Sequence, residues 1–211
     1  MTKVRNTSDS ATRERLLEAA VDTIAKGGEV AVRTKTIAQS AGVAETSLFH
    51  FFGNREGLIE EANVALFRKL IEGFTQNFKS AVDACATRAD FIDVCQRTVD
   101  LATSKDRSYV RAQRVQALGS AVNRPRLAEK LFQAQLEANK IMQESLEIAQ
   151  SRKWISADLD TEAASFWLMA QFTGYVVAEL GNDDKYLEKI AHFYQIAVAT
   201  VLEFHLTDEE I

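Results

Sequence analysis

Residues 34–58 read TKTIAQSAGVAETSLFHFFGNREGL, and this stretch decides the fold. Thr34 to Ala41 and Ala44 to Phe51 each space their apolar residues as short helices do, and only Gly42 and Val43 lie between them. Two short helices joined by so tight a glycine-bearing turn have the length and chemistry of a helix-turn-helix. Gly42 suits a reversal that calls for a positive φ. At about 100° per residue, Ala44, Leu48 and Phe51 fall on one side of the second helix, ready to pack on Ile37, Ala38 and Ala41. The opposite side carries Glu45, Thr46, Phe49 and His50, with Ser47 on the border. Leaving Phe49 in water costs about 1–2 kcal/mol relative to burial. Either a partner surface covers it, or it folds back onto the helix that follows.

Working outward, Leu16, Leu17, Ala20, Val21 and Ile24 mark a helix over Thr12 to Lys26, which Gly27-Gly28 stops. Gly53-Asn54 breaks the chain again, and Asn54 is a good cap for a long helix. Leu58, Ala62, Leu66, Leu70, Phe74 and Phe78 mark one face of that helix to about residue 82. Five further helices follow. The first spans 88–103, capped by Thr87, with Phe91, Val94, Cys95, Thr98 and Leu101 inward. The next spans 107–120, and another runs from Pro125, which suits a first helical position, to Arg152. Then come Thr161 to Leu180, capped by Asp160 and ended by Gly181, and Asp184 to Leu206. No strand pattern of useful length interrupts them. The fold class is all-α with nine helices.

Composition agrees. The 211 residues are 46% hydrophobic and 26% charged, with one proline and nine glycines, which fits a folded helical chain and neither disorder nor a sheet. Two cysteines, Cys85 and Cys95, and three scattered histidines, His50, His192 and His205, leave no disulfide framework and no structural metal cage. The net charge of −5 hides a change of sign. Residues 1–57 carry eight Lys/Arg against seven Asp/Glu, and residues 58–211 carry 17 against 23. Only the first region suits phosphates, and there a local footprint outweighs net charge. No secretory signal opens the chain, and the charge-free run from Ala163 to Ala178 is shorter than the roughly 20 residues of a membrane span. The expected setting is the cytoplasm, with no membrane contact.

Thr34 through Leu58 resembles the DNA-binding signature of the tetracycline-repressor (TetR) family, and the preceding helix, the long helix after it and the helix count fit as well. The resemblance implies a three-helix helix-turn-helix domain over residues 1–56 and an effector-binding and dimerisation domain over 57–211. It implies that Ala44 to Phe51 enters the major groove. Position by position, Thr34 and Lys35 fall where the family contacts phosphate or base, and Glu45, Thr46 and Ser47 at base-reading positions. Phe49 and His50 fall at an aromatic pair reaching phosphate or base edges, and Arg55 at a phosphate-holding lysine. Three departures stand out. Ala44 removes a side-chain cap, Phe49 lacks a hydroxyl, and Glu45 is acidic on a face that meets a polyanion. Glu45 either accepts from cytosine N4 or steadies the helix start through the dipole. Lys3, Arg5, Arg13 and Arg15 form either an arm along the DNA or a solvated tail.

The second region is expected to pair two copies. From Ala163 to Leu180 the helix is apolar on nearly every side and needs cover all round. Helices near 161–180 and 184–206 therefore form the expected homodimer surface, as the resemblance also implies, the alternative being monomer core. The partners expected are double-stranded DNA as a palindromic operator, a second copy, and a small-molecule effector of unknown identity. Gln113, Gln116, Cys95, Phe132, Trp167 and Gln171 are candidate lining residues. Arg107, Arg111 and Arg114 form one basic stripe, either a solvated face paired with Asp100 or Asp106 or a seat for an acidic effector such as an acyl-thioester or carboxylate. No nucleophile elbow, phosphate loop or His-Glu zinc helix is present, so no catalytic residue, cofactor or metal ligand is assigned. The alternatives are an all-helical enzyme or an interaction module without DNA binding, or a regulator of the same fold that activates or needs no ligand.

Overall fold

The computed structural model describes residues 3–204, with side chains from Asp9 onward. Nine α-helices run through them: α1 Lys3–Gly27, α2 Thr34–Ser40, α3 Glu45–Phe52, α4 Arg55–Ala84, α5 Arg88–Thr103, α6 Ser108–Ala121, α7 Pro125–Ser151, α8 Thr161–Glu179 and α9 Asp184–Val201. Short 3₁₀ turns at Glu29–Ala31 and Lys105–Arg107 complete the order, and no strand occurs among the described residues.

The chain forms two compact units. One reaches to Lys69 and takes in Ala121–Leu131; the other holds Leu70–Ser120 and the chain from Phe132 onward. Helices α4 and α7 thus belong to both units, whereas the sequence suggested a division after residue 56. In the first unit Leu16, Ala20 and Ile24 of α1, Ile37 of α2, Leu48 of α3, and Leu58, Ile59 and Ala62 of α4 are buried together with Val32. Gly42 adopts φ 65° and closes the turn between α2 and α3, where the Val43 N–H donates to the Ala38 carbonyl at 3.0 Å. Asn54 caps α4 as expected, its Oδ1 accepting the Gly57 N–H at 2.8 Å. Gly57 has a different reason to be glycine: a Cβ there would stand 2.2 Å from the Phe52 carbonyl oxygen.

In the second unit Thr87 and Asp90 form a reciprocal capping box on α5, and Asp160 and Asp183 cap α8 and α9. Tyr194 and Tyr175 hydroxyls donate to the Gln171 and Leu187 carbonyls at 2.9 and 3.2 Å, tying α8 to α9. Gln150 closes the link after α7 by donating to the carbonyls of Ser156, Ala157 and Leu159.

Four expectations need correction. Helix α1 begins at Lys3 and not at Thr12, so the polar start continues the helix and is no extended arm; the side chains of Lys3 and Arg5 lie outside the described residues. Helix α9 ends at Val201, where Glu203 at φ 55° turns the chain and the Phe204 N–H returns to the Ala199 carbonyl at 2.9 Å. Residues 205–206, expected to extend that helix, lie outside the described ones. Leu101 is exposed where an inward position was expected. So is Ala44, because α3 turns Leu48 and Phe52 inward and leaves Phe51 half-buried.

Candidate nucleic-acid interface

Two long-range contacts hold α2 and α3 in register. The Arg15 guanidinium donates to the Ala41 carbonyl at 3.1 Å, pinning the turn to α1. Arg13 pairs with Glu61 and lies over the Phe52 ring, 5.2 Å from its centre. Both arginines belong to the helical body and not to a solvated tail. With Leu48 buried on the inner side, the outer side presents Thr46, Phe49 and His50 to solvent, and Lys35 stands exposed at the start of α2. Phe49 is 45% exposed, so the first unit does not cover its ring. Ser47 is half-buried at the border.

Three of the sequence-derived positions are engaged within the protein. The Thr34 hydroxyl donates to the Glu45 carboxylate at 2.5 Å, joining the first turns of α2 and α3. Ala44 makes no side-chain cap, so Glu45 is the acidic group that meets the partial positive charge at the start of α3. Arg55 is a clamp: Nε donates to the Val32 carbonyl at 3.0 Å, Nη2 to the Glu29 carbonyl at 2.7 Å, and Nη1 to the Glu56 carboxylate at 2.7 Å. Three of its five N–H groups thus go to partners of its own chain, while the side chain stays 36% exposed.

Glu29 was not singled out from the sequence. Its carboxylate accepts from Asn63 Nδ2 at 2.7 Å and from Arg124 Nη1 at 2.9 Å. It occupies a short link without periodicity, and nothing local marks it.

Two small cavities lie among the described residues of the second unit. One is lined by Arg107, Arg111 and Arg114 with Leu70, Val110 and other apolar side chains, the other by Cys95, Thr98, Met142 and Leu202 among apolar neighbours. They share Phe74, Met169 and Phe172 as a common wall. Of the expected lining residues Cys95 is in place. Gln113 is buried against the Tyr109 hydroxyl at 2.6 Å, and Phe132 is half-exposed. Burial pushes the Cys85 and Cys95 thiols upward, most strongly Cys95. The reading of the three arginines as a solvated face is overturned. Arg111 is buried, held by the Glu179 carboxylate and the Ser104 carbonyl, and stacked 5.0 Å from the Tyr175 ring centre. Asp100 instead accepts from Gln195 at 2.8 Å.

On α8, Ala163, Phe166, Ala170, Gly174 and Val177 recur at three- and four-residue spacing along one exposed side. Tyr186, Phe193 and Ile196 of α9 are exposed as well. Among the described residues no helix is long and apolar enough to cross a membrane.

A short helix buried on one side and polar and aromatic on the other, set after a glycine turn, has the form of a helix-turn-helix. The family model described as bacterial regulatory proteins, tetR family, matches residues 16–62. The chain is 25% identical over 191 residues to the HTH-type transcriptional regulator UidR of Escherichia coli, spanning 87% of this chain and 88% of that one. Among solved structures it is similar to a TetR-family regulator from Rhodococcus sp. at TM-score 0.66 and 20% identity, over 92% of this chain and 99% of that one. It is also similar to Salmonella enterica GusR at TM-score 0.63 and 22% identity, over 91% and 95%. Residues 16–62 match the tetR family of bacterial regulatory proteins, and the chain is a DNA-binding transcriptional regulator.

Proposed function

We propose that two copies of the chain bind a palindromic operator as a repressor and that a small molecule held in the second unit releases it. One observation carries the DNA-reading part: α3 buries Leu48 and Phe52 and turns Thr46, Phe49 and His50 outward beside exposed Lys35. In this reading Thr46, Ser47, Phe49 and His50 meet base edges and sugars in the major groove, and Lys35 meets phosphate. Thr34 and Glu45 act as a bonded pair that fixes the groove-facing ends of α2 and α3, and Arg55 holds the start of α4 in place. Residues 1–56 carry DNA recognition, and 57–211 carry effector binding and dimerisation. The apolar stripe on α8 and the exposed rings of α9, within helices near 161–180 and 184–206, support the homodimer surface. A two-fold pair places two copies of α3 at successive major grooves, about 34–36 Å apart.

Selection of the full chain on random duplexes, followed by fluorescence anisotropy across salt concentrations, tests this. A palindromic site whose affinity falls steeply with salt is the expected result. Lys35→Ala lowers the slope of that dependence by about one, and His50→Ala alters base preference. Binding that ignores both substitutions overturns the assignment of the face.

A further inference from the structure

We infer that Arg124 is a positioning residue for DNA reading: it ties the start of α7 to Glu29 and Glu56, so that a shift of α7 is passed to the link that sets α2 and α3. The inference rests on the proposed release of the operator by a small molecule, and it names the residues through which α7 acts on the DNA-reading helices.

Four residues of the first unit close a ring. Arg124 Nη1 donates to the Glu29 carboxylate at 2.9 Å, and Nη2 stands 3.4 Å from the Glu56 carboxylate. Glu56 also accepts from Arg55 Nη1 at 2.7 Å, and Arg55 Nη2 returns to the Glu29 carbonyl at 2.7 Å. Asn63, buried on α4, donates to the Glu29 carboxylate at 2.7 Å and fixes its orientation. Two glutamates thus answer two arginines. The Arg124 and Glu29 side chains keep 31% and 20% of their surface in water. Ion pairs so open to solvent contribute little stability, so what this ring supplies is geometry. It fixes the distance between the link at Glu29, the first turn of α4 and the start of α7.

Both ends of the tie are stiff. The Arg124 N–H donates to the Ala121 carbonyl and its own carbonyl accepts the Ala128 N–H, both at 2.9 Å, and Pro125 confines the residue before it to extended backbone. Its side chain therefore leaves from the first turn of α7. That helix runs unbroken from Pro125 to Ser151 and carries the chain from the first unit into the second. Its backbone bonds fix a rise of about 1.5 Å per residue, so a push at one end is felt at the other. On the far side of the tie the link is a 3₁₀ turn. Its Ala31 and Val32 N–H groups donate to the Gly28 and Glu29 carbonyls at 3.1 Å, and Val32 is buried. The chain then enters α2 at Thr34, whose hydroxyl bonds to Glu45 at the start of α3. A displaced Glu29 tilts α2 and, through that bond, α3.

Coupling is reciprocal, so it is read from the DNA side with no effector in hand. The full chain is saturated with the palindromic duplex that selection yields. Amide hydrogen exchange followed by mass spectrometry then compares residues 128–131 of α7 with residues 48–52 of α3, with and without duplex. In wild type, DNA is expected to slow exchange in α3 and to slow it in 128–131 by about 5-fold or more, the lower end of allosteric coupling factors. Arg124→Met is expected to keep the slowing in α3 and abolish that in 128–131. Arg124→Lys, which keeps the ion pair with Glu29, restores it. A role confined to stability would speed exchange in 128–131 with and without DNA alike and leave their ratio at the wild-type value. Glu29→Gln keeps an acceptor for Asn63 and removes the charge; it is expected to lower the ratio and serves in place of Arg124→Met should that variant not fold. Slowing in 128–131 that survives these substitutions overturns the inference. Operator bound by wild type with no slowing in 128–131 overturns it too, and leaves the operator reading standing. If no duplex is bound, that reading falls and this inference with it.

Discussion

Arg55→Met separates two roles that the sequence does not distinguish. As a phosphate contact, Arg55 would matter to DNA and little to folding. In the structure its fork closes on Val32 and Glu29 carbonyls and on the Glu56 carboxylate, with the side chain 36% exposed. Methionine fills similar volume and removes every donor. Two carbonyls then lose a charged donor. Buried, such bonds contribute about 1.5–3 kcal/mol each. Water reaches this side chain, and the surface pair with Glu56 adds little. The loss is therefore roughly 1–2 kcal/mol in all, less than the buried sum. With a urea dependence of about 1–3 kcal/mol per molar, the unfolding midpoint falls by roughly 0.3–2 M. Urea titration followed by far-UV circular dichroism measures it. At a temperature where both proteins are folded, the salt slope of operator binding stays at the wild-type value. A variant as stable as wild type, with a slope reduced by about one, would refute the clamp and restore the phosphate role.

Gly57→Ala gains about 1 kcal/mol of helix propensity but drives a Cβ to within 2.2 Å of the Phe52 carbonyl, an overpacking cost of about 1–3 kcal/mol. Net destabilisation and weaker operator binding are expected, and a raised melting temperature would contradict the close approach. Asp90, whose pKa lies below the ordinary 3.8 because Thr87 and Ala86 donate to it, stabilises the fold above that value and loses this contribution as pH falls through its lowered one. The melting difference between wild type and Asp90→Asn should hold steady above about pH 5 and shrink below about pH 3. Val177→Glu combined with Phe193→Glu should yield a folded monomer in sedimentation velocity; an unchanged dimer would place the pairing surface elsewhere.

Much of the helical plan was written in local chemistry. Thr87, Asp160 and Asn54 cap helices through groups three residues away, so their roles needed no knowledge of the fold. The glycine turn between α2 and α3 and the apolar spacing of α4 are equally local. What a side chain meets across the chain was not legible. Thr34 and Glu45 are eleven residues apart, Arg15 and Ala41 twenty-six, Arg111 and Glu179 sixty-eight. Each of these polar groups reads from sequence as a free surface charge or hydroxyl. Arg55 matched a phosphate-binding position, and only the fold shows that it also ties a neighbouring turn to the start of α4.

The sequence alone determined that this chain is helical, where its helices cap and turn, and which segment resembles a DNA-reading element. Those features depend on dihedral preference and on contacts within one or two turns. Only the tertiary structure decided which arginines are clamps, that Arg107 and Arg114 line a basic compartment, and that helices α4 and α7 belong to both units. Those outcomes depend on which surfaces pack together, and a burial partner dozens of residues away leaves no periodic trace in the chain.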